Sequence, residues 1–178
     1  MHFQSDIVIF AFEEINKQLM PDIQLTIPYT HCTFEELSSE DRILVEKAQD
    51  ACKTAYAPYS HFCVGAAIAL NNGEIICGSN QENAAYPSGT CAERCAMFYA
   101  NAQHPQATPI TIAIAACNTA GDFSSFPITP CGACRQVLLE SEIRYKQPLR
   151  IILYGVKSIY ILKSVRSLLP FQFDSSAL

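Results

Sequence analysis

Two stretches hold the residues whose types and spacing could do chemistry: Thr90-Cys91-Ala92-Glu93-Arg94-Cys95 and Pro130-Cys131-Gly132-Ala133-Cys134. Cys131 and Cys134 stand at i and i+3, so in a first helical turn both thiols share one face. Cys91 supplies a third thiol from elsewhere in the chain. Thiolates bind zinc at about 2.3 Å in tetrahedral geometry; a structural site is usually closed by a fourth protein ligand, whereas a catalytic one leaves that place to water. Glu93, two residues past Cys91, points in a different direction on a helix, so it can sit beside a metal without binding it. That suits a general acid/base that takes a proton from an activated water and returns it to a substrate. Three thiolates and a hydroxide overload a divalent cation with negative charge. Arg94 and the N-termini of the two helices are the candidates to compensate it. Plainer readings exist for the same residues. Thr90-x-x-Glu93 also spells a capping box, and a lone C-x-x-C is often structural or redox. Cys95, one turn past Cys91, is expected to be buried and apolar in behaviour.

The chain around these stretches has 178 residues, enough for one domain with a full core. Hydrophobic residues make up 49% and charged residues 16%, against a usual charged share of about 25%. So little charge on a compact chain hints at buried subunit interfaces. The net charge of −5 argues against a nucleic-acid substrate, because phosphate binding needs a basic footprint. Nine cysteines, an odd number with no secretory signal, read as reduced thiols in a cytoplasmic protein. The apolar run Ile7 to Phe12 is short and lacks a basic flank, and no stretch is long enough to span a bilayer.

The elements that must position the thiols follow from periodicity. Residues 1–36 read as an N-terminal extension, with a short helix ending over 15–20 and an edge strand over Asp22 to Pro28; residues 37–178 form the main domain. His31 and Cys32 have no partner spacing and read as packing or surface residues. Ser38 or Ser39 caps a helix running to about Tyr56. Cys63 to Leu70 and Glu74 to Gly78 form a hairpin across Asn71-Asn72-Gly73. The Cys91 helix runs to about Gln103, Ile110 to Cys117 is a buried strand, and the Cys131 helix runs to about Ile143. Strands over Leu149 to Val156 and Ile159 to Leu162 follow, then a helical turn over Val165 to Leu169. Strands alternating with helices after a hairpin imply an α/β fold with a mixed sheet covered by helices, its site at strand ends.

The pattern C-x-E followed by P-C-x-x-C is the three-thiolate variant of the motif of zinc deaminases acting on nucleobases. With Tyr59-Ser60-His61-Phe62-Cys63-Val64-Gly65-Ala66-Ala67, Asn80-Gln81-Glu82-Asn83-Ala84-Ala85-Tyr86-Pro87 and Pro130-Cys131-Gly132-Ala133-Cys134-Arg135-Gln136, the chain resembles the small homotetrameric, all-thiolate cytidine deaminases from about Leu37 to Phe173. The resemblance implies a three-layer α/β/α fold with a mixed five-stranded sheet. It also implies hydrolytic deamination of cytidine and deoxycytidine to uridine and deoxyuridine plus ammonia, in pyrimidine salvage. One Zn2+ per subunit would be held by Cys91, Cys131 and Cys134, with Glu93 as proton shuttle and Arg94 behind the ligands. Asn80 and Glu82 would bind the ribose hydroxyls; an amide and a carboxylate two apart in an extended loop do project to the same side. Phe62 would line the pocket, the Ala92 N–H would hold the base carbonyl, and the Thr129 carbonyl would face the departing ammonia. Phe173 of a neighbouring subunit, with Phe171 as the second choice, would cap the base. The partner is thus a small nucleoside, with no nucleic acid and no membrane. A deaminase of a modified cytosine nucleoside or a nucleoside antibiotic is the nearest alternative. A non-catalytic zinc assembly module is the other, although it leaves Glu93 unexplained.

Overall fold

The computed structural model describes residues 22–178; the expected helix end over 15–20 and the apolar run at 7–12 lie outside them. The chain order is β1 (Thr30–Cys32), α1 (Ser39–Ala51), β2 (Phe62–Leu70), β3 (Ile75–Ser79), α2 (Ala92–Gln103), β4 (Pro109–Asn118), α3 (Gly132–Tyr145), β5 (Arg150–Leu153) and β6 (Ile159–Leu162). The strands form one sheet in the order β1-β6-β5-β4-β2-β3. Only β4 and β5 run parallel; the other neighbours are antiparallel. The sheet is mixed, as expected, but it has six strands rather than five. The extra one is β1, which pairs Thr30, His31 and Cys32 with Ile161, Tyr160 and Ile159. The edge strand expected over Asp22–Pro28 is not formed; that segment is exposed and outside the sheet. His31 packs edge-on to Tyr160, and Tyr29 lies 4.9 Å from the same ring. Of the segment assigned to the extension, Thr30–Cys32 is therefore built onto the β6 edge.

The central strands are buried on both faces, which is why β2 and β4 read as apolar runs rather than alternating ones. On one face Ala66, Ile68, Ile112, Ile114, Ile151 and Leu153 meet Ala96 and Met97 of α2 and Leu138 and Leu139 of α3. Each fully buried Ile or Leu there contributes about 1.5–3 kcal/mol. On the other face Ala67, Ala113, Ala115 and Ile152 meet Leu44, Val45 and Ala48 of α1. The result is a three-layer α/β/α sandwich. Gly78 lets α2 lie directly on β3: a Cβ there would stand 2.6 Å from the Ala96 nitrogen and 2.8 Å from the Ala92 oxygen. That contact sets the depth of the N-terminus that carries Cys91. Ser38 caps α1 by accepting from the Asp41 N–H at 3.2 Å, and Asp41 takes a two-pronged ion pair from Arg150 of β5. Among the described residues no helix is long and apolar enough to cross a membrane.

Candidate functional site

Cys91 and Cys131 are the N-cap residues of α2 and α3, with extended backbone (φ −74°, ψ 156° and φ −66°, ψ 166°) and no side-chain cap. The capping box that Thr90-x-x-Glu93 could spell is not formed. Thr90 instead lies in an extended segment exchanging both backbone hydrogen bonds with Gln81 at 2.8 and 2.9 Å. Glu93 therefore occupies the second helical position, and its side chain is free of capping duty.

The two helix N-termini converge so that the Cys91, Cys131 and Cys134 sulfurs all lie within 4.8 Å of one another. Cys91 Sγ is 3.9 Å from Cys131 Sγ, and Cys131 Sγ is 3.5 Å from Cys134 Sγ. Sulfurs bound tetrahedrally to one zinc at about 2.3 Å would stand about 3.8 Å apart, so the donor set fits that ion. The Arg94 Nη2 donates to Cys91 Sγ at 3.7 Å. The Cys91 thiol is pulled down to about 5, first by the hydrogen bond from Cys134, with Arg94 adding to it; the Cys134 thiol is pushed up, by that same bond and then by burial. Glu93 is only 4% exposed, and burial pushes its carboxyl up, with the neighbouring Cys91 adding. A raised carboxyl pKa suits a group that must both take and return a proton near neutrality. Cys95 is partly buried and its thiol is pushed up by burial, in keeping with an apolar role.

These groups open on a cavity of about 530 Å³ whose lining includes Phe62, Asn80, Glu82, Cys91, Glu93, Arg94, Thr129 and Cys131. The Asn80 amide is held on both sides by β2, its Oδ1 accepting from the Val64 N–H at 2.7 Å and its Nδ2 donating to the Phe62 carbonyl at 2.9 Å. One lone pair and one N–H remain for a ligand. Glu82 accepts from the Tyr59 and Ser60 N–H groups at 2.9 and 3.3 Å. Hydrogen bonds from Ser60 and Tyr59 hold its carboxyl below the usual range, so it is a fixed anion at the cavity wall. Ala92 is fully buried between two lining residues; as the first residue of α2 its N–H lacks an intrahelical acceptor. Phe173 stands apart from the cavity within a single chain. It is 59% exposed, and its carbonyl accepts from Gln136 Nε2 at 2.9 Å. Tyr59, Tyr86 and Ile128 also line the cavity; sequence reasoning gave none of them a role, because nothing in residue type separates them from core or surface aromatics and aliphatics.

Residues 38–146 match the family model described as the cytidine and deoxycytidylate deaminase zinc-binding region. The chain is similar to the cytidine deaminase of Halalkalibacterium halodurans, 41% identical over 99 residues that make up 56% of this chain and 70% of that relative. Against the cytidine deaminase of Mycobacterium tuberculosis it is 40% identical over 106 residues, 58% of this chain and 74% of the other. Among solved structures, the cytidine deaminase from Burkholderia pseudomallei superposes with a TM-score of 0.62 at 37% identity, covering 77% of this chain and 100% of that one.

Proposed function

The chain belongs to the cytidine and deoxycytidylate deaminase family, and from that premise we propose that it hydrolyses cytidine and deoxycytidine to uridine and deoxyuridine, releasing ammonia. One observation carries the reading. A buried carboxylate, Glu93, stands two residues from one of three gathered thiols and opens on the same cavity as the amide and carboxylate suited to a sugar. Cys91, Cys131 and Cys134 would hold Zn2+, about one per subunit. When bound there, the ion lowers the pKa of a water and so supplies a nucleophile at neutral pH.

The chain's own residues account for the rest. Asn80 and Glu82 hold the ribose hydroxyls and so bring C4 of the base to the thiol end of the cavity. Phe62 packs along the nucleoside. The Ala92 N–H takes the 2-carbonyl oxygen of the base and fixes its rotation. Glu93 accepts the proton that the attacking water gives up and delivers it to N3. It then carries the second proton to the 4-amino group, which leaves as ammonia past the Thr129 carbonyl. Arg94 keeps negative charge on the Cys91 sulfur. Phe173, exposed and outside the lining of its own cavity, closes the cavity of a neighbouring subunit in a homotetramer. The enzyme serves pyrimidine salvage in the cytoplasm. Residues 37–178 form the catalytic domain and residues 1–36 an extension to it.

The test is loss of cytosine absorbance on adding cytidine to purified protein of measured zinc content, with deoxycytidine, cytosine and CMP in parallel. Turnover of both nucleosides without turnover of the free base is expected. Zinc-loaded protein that turns over neither nucleoside overturns the reading, and a monomer by sedimentation with full activity overturns the shared cavity.

A further inference from the structure

The guanidinium of Arg135 is engaged on all three nitrogens, on three acceptors from two separate segments. Nε donates to the Pro130 carbonyl at 2.8 Å, Nη2 to the Thr129 hydroxyl at 3.3 Å and Nη1 to the Leu168 carbonyl at 3.1 Å. Arg135 directly follows Cys134 on α3, and its own N–H donates to the Cys131 carbonyl at 2.9 Å. The side chain thus turns back along its helix and grips the two residues that lead into Cys131. Pro130 is buried and has no N–H. Its carbonyl is therefore the one backbone polar group by which that residue can be held. Because the peptide unit is planar, the direction of that oxygen sets the plane entering Cys131. Cys131 caps α3 without a side-chain cap of its own, so the approach of its sulfur depends on this incoming peptide.

We propose that Arg135 is a positioning residue. Its planar fork orients the Thr129-Pro130-Cys131 turn, and with it the Cys131 sulfur and the Thr129 carbonyl, against a fixed reference at Leu168. It differs from Arg94, which donates to a sulfur directly; Arg135 acts on the turn through two backbone carbonyls and the Thr129 hydroxyl. Lysine cannot replace it, since an ammonium is a point donor and does not hold three acceptors in one plane. The part of the inference that concerns Thr129 rests on the deaminase reading; the part that concerns Cys131 does not.

The experiment uses the full chain with Arg135→Lys and Arg135→Ala, each loaded with zinc or with Co2+. The readouts are metal content, the visible thiolate–cobalt spectrum, the melting midpoint, and kcat and KM for cytidine. R135K is expected to fold and bind one Co2+, with shifted cobalt bands. Its kcat should fall on the order of 100-fold, the scale of a misplacement of about 1 Å, with KM little changed; that split marks loss of an interaction made in the transition state. Added guanidinium ion at low millimolar concentration should restore part of the activity of R135A but not of R135K. A lowered melting midpoint with wild-type cobalt bands and wild-type kcat in the folded protein would reduce Arg135 to a stabilising residue and overturn the proposal. Should wild-type protein turn over no nucleoside, the deaminase reading falls on its own. The cobalt spectrum then decides: unchanged bands in both variants overturn the role at Cys131, and shifted bands in R135K support it. If R135A fails to fold, R135K carries the same decision.

Discussion

The molecule holds two trios of cysteines on opposite faces of one sheet. Cys91, Cys131 and Cys134 stand at the N-termini of α2 and α3. Cys52, Cys63 and Cys117 lie under α1, where Cys63 and Cys117 face each other across β2 and β4 and Cys52 donates to the Ala115 carbonyl at 3.4 Å. The second trio is 3%, 9% and 6% exposed. Burial pushes the Cys52 thiol up to about 12, with Cys117 adding, and burial raises Cys117 as well. In the first trio Cys91 moves the other way, to about 5, chiefly through the hydrogen bond from Cys134, whose own thiol is pushed up. The first trio is gathered at two helix N-termini beside Arg94, the second in an apolar layer. Free N–H groups, the positive ends of two helices and a cation stabilise thiolates; an apolar layer under a helix stabilises thiols. Among the described residues, the first trio is the one group of three or more His, Cys, Asp or Glu side chains placed to share an ion.

The difference can be sharpened or broken by substitution. The largest effect is expected at Cys134, which is fully buried beneath its two partners. Cys134→Ser should drop metal content well below one per chain and bring turnover under detection, measured by metal analysis and cytidine assay together. Glu93→Gln should come next. It should keep the metal and lose activity on the order of 100- to 10,000-fold, the range for removing a general acid/base. Near-normal turnover in that variant would end the role given to Glu93. Arg94→Gln removes the cation beside Cys91 and should cost about 10- to 100-fold in metal affinity or activity, as substitutions behind metal ligands do; competition with a chelator reads it directly. The smallest effect belongs to the other face. Cys52→Ala should lower stability by about 1–2 kcal/mol, read by denaturant melt, and leave zinc content and kcat as they were. A Cys52→Ala protein that lost its metal would show that the two trios are not independent.

Much of the fold was legible because local chemistry and tertiary demand agree. Asn71-Asn72-Gly73 announces the β2–β3 hairpin, and the register of Gly65 opposite Ser79 through Ala69 opposite Ile75 bears it out. Ser38, Cys91 and Cys131 mark the starts of α1, α2 and α3. The sixth strand was not legible. Asp22–Pro28 alternates better than Thr30–Cys32, yet it is the shorter segment that pairs, because the open β6 edge and the Tyr160 ring lie beside it. A strand of three residues carries too little periodicity to be seen. The dual meaning of Thr90-x-x-Glu93 was likewise open until the Gln81 pairing drew Thr90 out of the capping position.

The sequence by itself offered the inventory of the thiol end of the site: three thiols, a carboxylate two residues past one of them and an arginine beside it. These are readable because metal ligation and proton transfer demand particular atoms at short, fixed offsets along one helix or one loop. Only the tertiary structure decided that α2 and α3 bring the Cys91 sulfur within 4.8 Å of those of Cys131 and Cys134, and that β2 holds the Asn80 amide from both sides. It alone also decided that Arg135 ties the Cys131 turn to Leu168. Those relations depend on where separate elements pack, through Gly78 against α2 and through the two buried faces of the sheet. Packing is a sum over many weak apolar contacts distributed along the chain, so no short motif records it.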